Sequence, residues 1–159
     1  MNSIIDTIME RLAEKVPELW IDVDFGQLSV ENPPVDFPCA LIDIRSAAHT
    51  DTSDNGQITN ARVMISVAFS VLGPSDHGAP AELRAKAMDH YRILQEVYVA
   101  LQGFGTEEFA PLSRATTERK DETYPRHFIM VFDTAFADES ACPVRTKPRP
   151  RPDITIEKK

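Results

Sequence analysis

At 159 residues, 42% apolar and 26% charged, the chain has the size and composition of one soluble globular domain that needs no metal or disulfide to fold. No apolar run approaches the roughly 20 residues that span a bilayer. The net charge of −8 is uneven: residues 144–159 hold six basic side chains against two acidic ones, a net +4, which leaves −12 on the rest and disfavours general nucleic-acid binding by that part.

The opening MNSIIDTIMERL carries acidic residues early and has no basic-then-apolar layout, so it is expected to be no signal peptide and the chain to be made in the cytosol. Residues 3–16 are predicted to be a helix. Ser3 and Asp6 are placed as a cap and its charged partner, and Ile4, Ile5, Ile8, Leu12 and Val16 recur at helical spacing. Pro17 ends the helix, and Leu19 to Val23 reads as a short extended segment.

The stiff stretch from Asn32 to Pro38 leads into a strand from Cys39 to Ala48, with Ala40, Ile42 and Ile44 on one face and Asp43 and Arg45 on the other. The polar run Thr50 to Gly56 ends in Asn-Gly, a pair that favours positive φ and so a hairpin turn. The next strand is the clearest in the chain, with Ala61, Val63, Ile65, Val67, Phe69 and Val71 alternating with more polar neighbours. After the breaker loop Gly73–Gly78 a long helix is predicted from Pro80 to Gln102, stopped at Gly103. Its buried stripe is predicted as Leu83, Ala87, Tyr91, Leu94, Tyr98 and Leu101.

A second hairpin follows, with arms Leu112 to Arg119 and His127 to Ala137 and a turn at 120–123. The return arm is apolar on both faces, which suits a central strand or one that meets a second protein surface. After residue 140 the chain is rich in proline and arginine and is expected to be extended or disordered. The predicted fold class is α+β: a mainly antiparallel sheet of four to five strands with two helices on one face, in the order α-β-β-β-α-β-β. Residues 1–140 form the domain and 141–159 a tail.

Chemistry has few candidates. His49, His77, His90 and His127 show no i, i+4 metal spacing; His77 reads as loop-exposed, His90 as a boundary residue, and His127 is placed to meet His49 at one end of the sheet. Cys39 and Cys142 fit neither a zinc knuckle nor a CxxC motif, and nothing demands that they pair. Cys39 reads as a packed thiol with a raised pKa. Asp22, Asp24, Asp43 and Asp51 read as solvent faces of strands before they read as a carboxylate cluster. No nucleophile elbow or phosphate loop is present, so no catalytic residue, cofactor or metal is expected.

Several phrases carry a resemblance. They are the amphipathic first helix, P-x-D-F-P-C-A-L-I-D-I, T-D-T-S-D-N-G-Q, A-R-V-M-I-S-V-A-F-S-V, H-Y-R-I-L-Q-E-V-Y-V-A-L-Q-G-F, P-L-S-R and F-D-T-A-F-A-D, over roughly residues 1–140. In this arrangement the chain resembles the small tail-terminator, neck and head–tail joining proteins of long-tailed bacteriophages and prophages; the basic proline tail departs from the pattern. The resemblance implies a non-enzymatic ring subunit, commonly of a hexamer, that meets other phage tail or connector proteins. It implies no cofactor, no membrane and no sequence-specific nucleic-acid binding, and the −12 charge of the body is compatible with DNA passing through a lumen. Its place would be the bacterial cytoplasm during assembly and the virion afterwards. Asp51, Thr52, Asp54, Asn55, Gln57, Arg149 and Arg151 are the candidate assembly contacts. The alternative is a small intracellular enzyme or ligand-binding domain with a pocket between helices and sheet.

Overall fold

The computed structural model describes residues 2–53, 55–70, 73–74, 76–120 and 125–142. The elements follow the order α1 (Asn2–Lys15), β1 (Trp20–Val23), a 3-10 turn (Gln27–Ser29), β2 (Cys39–Ser53), β3 (Gly56–Ala68), α2 (Ala81–Leu101), β4 (Ser113–Lys120) and β5 (His127–Asp138). Five strands form one sheet in the order β1-β2-β3-β5-β4. β1 runs parallel to β2, and every other neighbour is antiparallel, so the sheet is mixed. The class is α+β, as the alternation and helical spacing require.

Both helices lie on the same face. Ile4, Ile8, Leu12 and Val16 of α1 and Ile93, Val97 and Leu101 of α2 join one apolar cluster with Ile42, Val63, Ile65, Val67, Met130 and Phe132 of the sheet. This cluster fills the space between helices and sheet. A smaller cluster forms on the opposite face, where Leu28, Val35 and Phe37 fold back over Cys39, Leu41 and Ala68. β2 is therefore apolar on both faces at its start, and beyond Ile44 only Ala47 still packs against the main cluster, because only its first third lies between two layers. Among the described residues, no buried side-chain nitrogen or oxygen lacks a partner. Buried Thr134, for example, donates to the Ala110 carbonyl at 2.6 Å.

Several local expectations change. Ser3 sits inside α1 and its hydroxyl donates to Glu108 Oε2 at 2.7 Å, so it joins the helix to the loop before β4 and does not act as a cap. β2 continues to Ser53, five residues past the expected end, because Thr50, Asp51 and Ser53 keep pairing with β3 until the tight turn, with a register shift at Thr52. Asn55 takes the positive φ of 69° expected there, and pairing has resumed at Gly56. Val71 and the turn residues 121–123 lie outside the described residues.

α2 begins after Pro80 and ends before Gly103, whose φ of 75° suits a residue without Cβ. Its buried face differs from the expected stripe. Ala87, His90, Ile93, Leu94, Val97, Ala100 and Leu101 point inward, while Leu83 is 44% and Tyr91 50% exposed. α2 carries apolar residues on more than one side, and the face that β-branched Ile93 and Val97 share fits the sheet. Tyr98 lies under the Arg114 guanidinium, 3.8 Å from its ring centre. His90 is buried, not at a boundary. Its Nδ1 lies 2.7 Å from the Ala87 carbonyl, and its ring packs against Phe69, Tyr91 and Phe128.

Candidate assembly surfaces

The β2–β3 hairpin ends beside the last residues of β5. Asp51 pairs with Gln57, and Gln57 with Asp138, so the three side chains stand in a row on the helix-side face. Gln57 Nε2 donates to Asp51 Oδ1 at 2.8 Å, and the Thr52 hydroxyl donates to the Gly56 carbonyl at 2.9 Å. The Ser140 hydroxyl and backbone N–H both donate to Asp138, which holds that carboxyl below the usual range. An open concavity of about 520 Å³ gathers Asp51, Thr52, Asn55, Gln57, Asp138 and Ala141. Four of the seven candidate contacts, Asp51, Thr52, Asn55 and Gln57, thus lie together. Asp54, Arg149 and Arg151 lie outside the described residues.

Asp138 and Ala141 were not among the candidates. The signal for Asp138 is the period-two pattern of β5, which continues one residue past Ala137. Ala141 carries no local signal and comes to the hairpin only through strand pairing.

The sheet edges differ in character. β4 is exposed along its whole length, and it is guarded by Arg114, Glu118, Arg119, Lys120 and a register shift between Arg114 and Thr116. On the other side, β1 covers β2 only from Cys39 to Ile42. Beyond the register shift at Ile44/Ser46, the described residues pair the rest of β2 on its β3 side alone. This distal edge reads Ser-Ala-Ala-His-Thr-Asp-Thr, with one charge and no proline.

The outer face of the sheet carries ion pairs. Arg62 reaches Asp133 at 3.2 Å, and Arg45 reaches Asp43 at 2.8 Å and Asp24 at 3.7 Å. Asp22 accepts from the Val23 amide. These carboxylates therefore serve turns and ion pairs, and Asp51 sits at the far end of the hairpin. The four do not form one cluster. Among the described residues no group of three or more His, Cys, Asp or Glu is placed to hold a metal ion.

His49 and His127 do not meet. His49 pairs with Thr59, its Nδ1 2.9 Å from the Thr59 hydroxyl, and Thr59 pairs with Phe136, whereas His127 pairs with Ala68. Nine residues of β5 separate the two positions, roughly 30 Å along the strand. Among the described residues no helix is long and apolar enough to cross a membrane.

Cys39 and Cys142 are both free thiols. Burial pushes the Cys39 thiol up to about 11. The folded value exceeds the unfolded one, so this contribution to stability is complete below about pH 9 and is lost as pH rises toward 11. Within that window it should fall by about 1.4 kcal/mol per pH unit. Urea melts at pH 8 and pH 10 are expected to show a smaller loss for Cys39→Ala than for the natural chain; equal losses would refute the assignment.

No protein-family model matches the chain, and a search of curated proteins returns no match.

Proposed function

We propose that this chain is a structural subunit of a bacteriophage or prophage head–tail junction or tail terminus, which acts by self-assembly into a ring. The observation that carries the reading is the distribution of surfaces. Both helices cover one face of the sheet, while among the described residues the hairpin tip, the β4 edge and the distal edge of β2 stay open beside a polar outer face. Open edges and polar loops are what a subunit offers its neighbours, and Asp51, Thr52, Asn55 and Gln57 already converge at one of them. The charge pattern agrees, because residues 1–143 carry −12 and a lumen lined by such subunits lets DNA pass without adhesion. The partners are further copies of the chain and other tail or connector proteins, in the cytoplasm during assembly and in the virion afterwards.

Size-exclusion chromatography with light scattering, followed by negative-stain imaging, tests the proposal. A closed ring is expected, either in free solution at high concentration or on addition of purified tail tubes. A strict monomer under both conditions would sink the ring, and a basic channel would overturn the lumen assignment.

A further inference from the structure

The two open edges of the sheet fit one another. Among the described residues, β1 covers β2 only from Cys39 to Ile42, and β4 pairs with β5 alone. Three antiparallel pairings lead from β2 through β3 and β5 to β4, so the two edges run in opposite directions. A second copy that continues the sheet therefore sets its β4 antiparallel to β2.

The pleat agrees with the direction. Ile42, Ile65, Met130 and Thr117 form one row of directly opposed residues across the sheet, on the helix-side face. In an antiparallel ladder, two opposed residues either bond to each other or both turn away. The Asp24 amide donates to the Ile42 carbonyl at 2.8 Å, so Ile42 turns away from β3. Ile65 therefore bonds to Met130, and Thr117 turns out of the sheet at the β4 edge. β3 keeps an unbroken register with β5, so Ala61, Thr59 and Gln57 turn the same way as Ile65. Their partners Ala47, His49 and Asp51 then turn outward from β2. At both edges the outward residues lie on the helix-side face, and an antiparallel pair opposes residues of like face and like direction.

Charge selects between the edges. Ser113–Lys120 carries Arg114, Arg119 and Lys120 against Glu118, a net +2, whereas Ser46–Ser53 carries only Asp51, a net −1. Two β4 edges would oppose like charges, and β4 against β2 opposes unlike ones. With Thr117 opposite His49, Arg114 falls opposite Asp51, because the register shift before Thr116 makes Arg114 the next helix-side residue. Gln102 Oε1 already accepts from the Arg114 amide at 2.9 Å, so the guanidinium, not the N–H, meets Asp51. This register steps each copy six residues along the strands, about 20 Å, for every four strands, about 19 Å across. A sheet stepped in that ratio closes by rotation when its strands tilt by about 45°, the tilt of closed barrels.

We propose that the subunits join edge to edge, β4 of one copy pairing with the distal half of β2 in the next through Thr117 and His49. The contact joins two different edges, so it is heterologous and repeats until a ring closes. It rests on the ring reading and names the contact that makes the ring.

Two proline variants test it by size-exclusion chromatography with light scattering, under the conditions in which the natural chain assembles. Thr117→Pro and Asp51→Pro each remove an N–H that points out of the sheet, where edge strands tolerate proline. Each is expected to keep the natural circular dichroism and to stay monomeric. Mixed one to one, they are expected to give a species of twice the monomer mass and nothing larger, since the mixture holds one intact β4 edge and one intact β2 edge. Rings from either variant alone, a mixture that stays monomeric, or a Thr117→Pro dimer would overturn this contact and leave the ring reading standing. A natural chain that never assembles would sink both. Should a proline unfold the chain, a charge exchange decides: Asp51→Arg is expected to block the ring and the added Arg114→Asp to restore it, and no restoration would overturn the proposal.

Discussion

Phe132→Ala is expected to destabilise the fold by about 3–5 kcal/mol, a large share of the roughly 5–15 kcal/mol that holds a typical domain together. Phe132 is fully buried on β5, where it pairs with Val63 of β3 on one side and Arg114 of β4 on the other. Its ring belongs to the cluster that joins both helices to the sheet. Truncation leaves a cavity that several elements would have to close together, and a strand held by two neighbours cannot shift to fill it. Urea denaturation followed by tryptophan fluorescence and far-UV circular dichroism gives the measurement. A loss under about 1 kcal/mol would mean that the centre of the core lies elsewhere.

The second large effect separates two faces of α2. Ile93→Ala is expected to cost about 2–4 kcal/mol, because its side chain is 4% exposed and packs in the main cluster. Leu83→Ala, at a residue 44% exposed, is expected to stay within about 0.5 kcal/mol of the natural chain. The heptad-like spacing of Leu83, Ala87, Tyr91, Leu94, Tyr98 and Leu101 demands the reverse order. Paired denaturation curves decide between the faces, and a costlier Leu83→Ala would show that α2 is turned the other way.

The error on α2 has a plain source. Two stripes share Ala87, Leu94 and Leu101, so spacing alone supports both. What selects between them is shape. Tyr91 and Tyr98 keep a polar end that gains from the surface, and Tyr98 finds Arg114 on β4. Ile93 and Val97 have no such use outside. A similar point applies to His90, whose place among Phe69, Tyr91 and Phe128 depends on β3, α2 and β5 arriving together.

The candidate contacts divide along the same line. The turn residues Asp51, Thr52, Asn55 and Gln57 were legible because Asn-Gly marks a hairpin and polar side chains flank it. That Asp138 and Ala141 join them was not, since residues some 80 positions apart in the chain meet only through the β3–β5 register. His49 and His127 show the converse, because the same register keeps them apart.

Local periodicity alone determined the α+β class, the order of the seven main elements, the Asn55 turn and the Gly103 stop, since each depends on side-chain pattern or backbone preference within a few residues. Tertiary structure decided the rest. It placed β1 parallel to β2, β5 between β3 and β4, and the sheet on the Ile93–Val97 face of α2. It also paired β1 with β2 only as far as Ile42. These outcomes depend on which long-range pairings bury the most apolar surface at once, and that sum does not exist until the elements meet.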